Sequence, residues 1–162
     1  MSTPVCLIVG ALIGMALVIS LGIQVMRTRM VTAHRSRRSF EETCAAIEQE
    51  VPAAEGWGFP IETWNFYETF RKKDLVPDRF RKLKVYFVCN AGLASKMLSH
   101  TPAFVGMMPC SWAVYELDDG SVWLSKMNVG LMSRMFSGVP GAIMRQVGEA
   151  DEKFLARVLG EE

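Results

Sequence analysis

The chain has 162 residues, 50% of them hydrophobic, with 18 basic against 17 acidic side chains and a formal net charge of +1. That length builds one compact domain of ordinary size, and the charge balance excludes both an acidic disordered chain and a broadly basic nucleic-acid coat. The 4 cysteines are too few and too scattered for a disulfide-built scaffold.

The positive mean hydropathy traces to one segment. Val5 to Met26 form a run of 22 residues without a charge, and its one strongly polar side chain, Gln24, lies near the end. As a helix the run rises roughly 33 Å, enough for a hydrocarbon core of about 30 Å. A cleaved signal peptide needs a basic leading region and a small-residue cleavage site. Met1 to Pro4 hold no Lys or Arg, and the run ends in bulky Ile23, Val25 and Met26. The expectation is a retained single-span anchor over residues 5–26 in a bacterial inner membrane, with 1–4 as a short external tail and 27–38 as a basic juxtamembrane segment. Arg27, Arg29, Arg35, Arg37 and Arg38 follow the span. The positive-inside rule then places the N-terminus outside and the rest of the chain in the cytoplasm, where cysteines persist as thiols. Cys6 falls within the span as a lipid-facing or packed residue. Gly10 and Gly14 form a GxxxG step, with Gly22 further along the same face. Such a face either joins two helices closely or reflects the frequency of glycine in spanning helices.

Residues 39–162 read as a cytoplasmic domain. Ser39 followed by Glu42 is a capping box, and Phe40, Cys44 and Ile47 recur at helical spacing until Val51 and Pro52. Met30 to Ala33 is a candidate first strand. Gly56 and Gly58 bracket Trp57 in a turn, and Phe59 to Trp64 form an extended segment. From Arg71 to Lys84 seven basic side chains are offset by Asp74 and Asp78. The run is either a solvated loop or a surface for anionic lipid. With Phe80 as its interleaved aromatic, it does not fit nucleic-acid stacking.

Leu83 to Val88 is a β-branched and aromatic strand, and Ala91 to Leu98 a helix. Trp112–Leu117 and Val122–Met127 are strands joined by the hairpin Asp118-Asp119-Gly120. Val129 to Phe136 is a short helix, Gly138, Pro140 and Gly141 break the chain, and Ala142 to Leu159 is the last helix. Its apolar face comprises Ile143, Val147, Phe154, Leu155 and Val158. Strands and helices mixed without strict alternation give an α+β class.

Chemistry concentrates between Val88 and Trp112. Cys89 ends a strand before a helix that Asn90 caps, and Cys110 follows Pro109 and opens the next strand. A thiolate near a helix N-terminus is favoured by the dipole, which lowers its pKa. The alternative is that both cysteines are small core hydrophobes. Cys44, spaced with Phe40 and Ile47, is core. His34 and His100 are isolated, and no Cys/His spacing matches a closed zinc site. Met107 and Met108, beside Cys110, add soft thioethers suited to Cu(I).

This segment resembles the domain-of-unknown-function family 302, in which a strand ends in Cys-Asn, a helix follows, and Pro-Cys opens a strand before an acidic-Gly hairpin. Cys89-Asn90, Ala94, Pro109-Cys110 and Asp118-Asp119-Gly120 carry the resemblance, with Ser39-Phe40-Glu41-Glu42-Thr43 and Gly58-Phe59 upstream. It extends over about Val31 to Leu159. The family commonly has Pro after Cys-Asn, where this chain has Ala91-Gly92. The resemblance implies a small α+β domain of roughly β-α-β(4)-α order, often dimeric, and no established activity.

The expected function is a single-pass anchored accessory or assembly module of a membrane protein complex. Its partners would be membrane lipid and either a membrane protein or a second copy, not nucleic acid. The rival is a thiol-based carrier or redox/metal-binding protein using Cys89 and Cys110 with Asn90 beside them, a soft metal being the candidate cofactor. No cofactor is required by the sequence. There is no Walker A, GxGxxG, HExxH or GxSxG motif and no nameable base–nucleophile pair, so the reading leans away from an enzyme. Antiparallel pairing of the two flanking strands would bring Cys89 and Cys110 to one end of the sheet; parallel pairing would hold them near 20 Å apart.

Overall fold

A computed structural model describes residues 3–160. The chain divides into two compact units at Met30/Val31. The first is one helix, α1 (Thr3–Arg29), within which Leu7–Arg29 is long and apolar enough to cross a membrane. Thr3 and Pro4, expected in the external tail, are helical, because proline is tolerated in a first turn whose amides have no intrahelical acceptor. Residues 1–2 of that tail and the Cys6 side chain lie outside the described residues. Arg27 and Arg29 sit in the last turn, where cations complement the helix dipole. Gly10 and Gly14 both lie in α1, and a Cβ at either would meet open space.

The second unit runs β1 (Val31–Arg35), α2 (Phe40–Ala53), β2 (Trp57–Gly58), β3 (Trp64–Asn65), α3 (Phe66–Arg71), β4 (Phe80–Asn90), α4 (Ala91–His100), a 3-10 segment (Pro102–Met107), β5 (Cys110–Leu117), β6 (Val122–Met127), α5 (Val129–Met132) and α6 (Gly138–Leu159). The basic stretch 27–38 is therefore split, since Arg35 belongs to β1 and to the domain. The sheet order is β1-β6-β5-β4-β2, with β3 also pairing β4, and every pair is antiparallel. This is the α+β class expected. Five strands rather than four follow α2, and α3, α4 and α5 interrupt the simple order.

The period of two decides which side is buried. Tyr86 and Val88 on β4, Trp112 and Val114 on β5, and Val122 and Leu124 on β6 share one face with the core. Against them pack Cys44, Ile47 and Val51 from α2 and Phe154, Leu155, Val158 and Leu159 from α6. Cys44 is thus core, as its helical spacing implied.

Three local expectations change. Phe59 to Trp64 is mostly irregular, and only Trp64–Asn65 pairs as strand. The basic run Arg71–Lys84 is not one loop, because β4 begins at Phe80. Lys82 pairs with Glu41 and Glu116, Lys84 with Glu48, and Arg71 with Glu68. The break expected at Gly138, Pro140 and Gly141 is the start of α6 instead. Pro140 falls in the first turn, and Gly141 passes so close to the Phe136 carbonyl that a side chain there would collide with it.

The α2 start is the capping box read from the sequence. Ser39 Oγ accepts from the Glu42 amide at 3.2 Å, and the Ser39 amide donates to Glu42 Oε2 at 2.9 Å. Ser39→Ala is expected to lower domain stability by about 1 kcal/mol. Chemical denaturation monitored by helix signal checks this, and an unchanged midpoint would mean the cap contributes nothing.

Candidate functional site

Asn90 occupies the joint between β4 and α4. Its amide oxygen accepts from the Leu93 N–H at 3.0 Å, and its amide nitrogen donates to the Glu55 carbonyl at 3.3 Å. Gly56, at φ +75°, packs so closely on Asn90 that a Cβ would lie 2.9 Å from Nδ2. One short polar side chain therefore caps α4 and ties it to the turn before β2.

Val88 on β4 stands opposite Cys110 on β5, so antiparallel pairing places Cys89 and Cys110 at the same end of the sheet. Both are free thiols, and both line one cavity of about 80 Å³. Its walls come from the ends of β4, β5 and β6, from α4, from the Pro102–Met107 segment, and from α5 and α6. Leu93, Ala94 and Val147 contribute aliphatic surface, and six of the seven methionines from Val31 onward, all but Met135, contribute thioethers. Met107 and Met108 are among them, as their position beside Cys110 suggested.

The electrostatics reverse one expectation. Cys89 was expected to hold a lowered pKa at a helix N-terminus; burial raises it instead. Asn90, not Cys89, takes the cap position, and Cys89 pairs with Gly58 in the sheet one residue earlier. Cys110 is pushed up to about 12, first by burial, then by the charge of Asp151 and by Cys89, with Lys126 pulling the other way. Both sulfurs are neutral thiols at pH 7. His34 lies in β1, and His100 shares a hydrogen bond with Thr101 at 2.8 Å. Among the described residues no group of three His, Cys, Asp or Glu is placed to hold a metal.

Behind Cys110 lies a feature the sequence reading missed. Lys126 Nζ is 3.2 Å from Asp151 Oδ2 and 3.3 Å from Glu152 Oε1, with the Lys126 and Asp151 side chains 3% and 1% exposed. The ammonium also sits 5.9 Å from the centre of the Trp112 ring. Trp112 Nε1 and Asp151 Oδ1 are buried without a hydrogen-bond partner. Burial moves the Asp151 carboxyl up to about 6, although Lys126 draws it down. A carboxyl raised in the folded state stabilises the protonated fold, a contribution present at low pH and lost as pH rises through about 6. Two signals in the sequence pointed here. Lys126 falls on the inward phase of Val122 and Leu124, and Asp151 falls on the apolar face of α6.

Asp151→Asn strips the buried ammonium of its nearest counter-charge and is expected to cost about 3–5 kcal/mol, while the double replacement Lys126→Met/Asp151→Leu recovers most of that loss. Urea denaturation of the three proteins checks the pair. Equal losses in the single and double variants would show that packing rather than charge sets the cost.

Residues 32–159 match the family described as Domain of unknown function DUF302. Among solved structures, the chain resembles the crystal structure of an uncharacterized conserved protein DUF302 from Bacillus stearothermophilus. The TM-score is 0.68 at 18% identity, over 80% of this chain and 98% of that one. No curated protein matches the sequence.

Proposed function

The chain belongs to the DUF302 family, a domain of unknown function, and from that premise we propose that it is a membrane-anchored accessory protein that binds a small soft or apolar ligand. The observation that carries the reading is the sulfur-lined cavity, in which Cys89 and Cys110 meet a concentration of thioethers. Methionine is flexible and polarisable, and it suits a surface that must adapt to a ligand. Both thiols are raised by burial, which argues against a thiolate nucleophile working at neutral pH.

Anchoring rests on α1, whose apolar length suits a bilayer. The arginines that follow favour a cytoplasmic domain, because basic flanks stay on that side. In this reading the protein holds its ligand at the inner membrane beside a larger complex, and Gly10 and Gly14 are the face by which α1 meets another helix.

A reporter fused after Glu162 is expected to read as cytoplasmic, in a protein that stays in the membrane fraction through alkaline extraction. A periplasmic readout would overturn the orientation, and a soluble, shortened product would overturn the anchor. Access to the cavity has its own test. A small uncharged alkylating reagent is expected to modify Cys89 in the native protein, with a rate that climbs only as pH rises beyond the ordinary cysteine range, because burial raises the thiol's pKa and the thiol must first ionise. Ala94→Phe, which fills the cavity wall, is expected to slow that reaction at least about tenfold without moving the protein from the membrane. Labelling of Cys89 and Cys110 only after unfolding would mean a closed core and would end the ligand-binding reading.

A further inference from the structure

We propose that the ligand of this cavity is a monovalent copper ion, held by the sulfurs of Cys89 and Cys110 with thioether support from Met107 and Met108. The inference rests on the reading of the cavity as a binding site and names its occupant. Its first support is the donor set. Beyond the two cysteines the polar donors at the wall are few, and the heteroatom offered most often is the methionine sulfur. Thiolate and thioether donors select Cu(I) over harder divalent ions, whereas zinc sites add nitrogen, oxygen or further thiolate ligands. No third His, Cys, Asp or Glu joins Cys89 and Cys110 in a group among the described residues.

Size and placement agree. A cavity of about 80 Å³ is far below the roughly 300–1,000 Å³ of sites for drug-sized ligands, which argues against a large organic occupant and leaves room for an ion with its ligating side chains drawn inward. The donors also come from two rigid origins, because Cys89 ends β4 next to the capped start of α4 and Cys110 opens β5 directly after the segment that carries Met107 and Met108. The strand register that joins Val88 to Cys110 brings the two origins to one end of the sheet without any ion, and both cysteines line the cavity there. Cu(I) binding exchanges a proton for the metal at each ligating thiol, forming a sulfur–copper bond and releasing H⁺ to solvent, with no change of oxidation state.

The test is an anaerobic competition between the full chain in mild detergent and a coloured Cu(I) chelator, with Cu(I) as the probe. One equivalent is expected to transfer to the protein, and Zn(II) offered in the same way is expected to stay with its own chelator. Cys89→Ser and Cys110→Ser should each weaken Cu(I) retention by more than about 100-fold, and Met108→Leu, which keeps volume and apolarity, by about tenfold. Cys44→Ser, at a core position that is not part of the cavity lining, should retain Cu(I) once its fold is verified by circular dichroism. X-ray absorption of the loaded protein should report sulfur neighbours alone. Failure of the folded wild-type protein to take Cu(I), retention unchanged in the Cys89→Ser/Cys110→Ser double variant, or nitrogen and oxygen neighbours would each overturn the proposal. If Cu(I) fails while small uncharged reagents still reach Cys89, the copper assignment falls and the binding cavity stands; if neither enters, both fall.

Discussion

The antiparallel pairing of β4 with β5 is the constraint on which the rest of the domain depends. Its register sets Tyr86 against Trp112 and Val88 against Cys110, and alternation then turns Tyr86, Val88, Trp112 and Val114 toward the same side. A shift of one residue would turn that set to the opposite face and leave α2 and α6 without an apolar surface to cover. The same register brings the end of β4 and the start of β5 together, so the joint that anchors the core also gathers the two cysteines. Core and candidate site share one hydrogen-bonded ladder.

The face that the ladder presents is not wholly apolar. Glu48 on α2 accepts from the Tyr86 hydroxyl at 2.8 Å and from Lys84 at 3.1 Å, and these contacts hold its carboxyl below the ordinary range. Deeper in, Lys126 and Asp151 tie β6 to α6. Such a buried pair is poor evidence for net stability, since the cost of removing two charges from water offsets their attraction. Its structural consequence is directional: a single ammonium beneath β6 is satisfied only when α6 presents Asp151 and Glu152 to it. The pair thereby selects one seating of α6, and α6 in turn supplies Met144 and Val147 to the cavity wall. The raised pKa of Cys110 belongs to the same arrangement, because burial and the Asp151 carboxylate act on it together.

Much of the fold was legible in short stretches of sequence. Ser39 with Glu42 marks a helix start because the two side chains satisfy amides within the same turn. Asp118-Asp119-Gly120 marks a hairpin because Gly120 takes φ +78° at no steric cost. Asn90 marks the start of α4 for the same local reason as Ser39 marks that of α2. The stretch around Gly138, Pro140 and Gly141 was misread for an equally physical reason. Glycine and proline punctuate a chain on average, yet here the proline sits where a first turn accepts it and Gly141 is required by the nearby Phe136 carbonyl, a tertiary neighbour.

Of the candidate site, the sequence by itself determined the donors and their local frames: a cysteine at a strand end, a capping asparagine, a cysteine after proline, and two methionines beside it. It likewise determined the apolar length of α1, the capping box and the central hairpin, since each depends on residues a few positions apart. Tertiary structure alone decided that Cys89 and Cys110 share a cavity, that methionines from α4, β6, α5 and α6 join them, and that both thiols are neutral rather than activated. The physical reason is that burial sums over every element packed around an atom. Asp151 and Lys126 lie far along the chain from Cys110 and act on it only through folding, so no local pattern could have carried their effect.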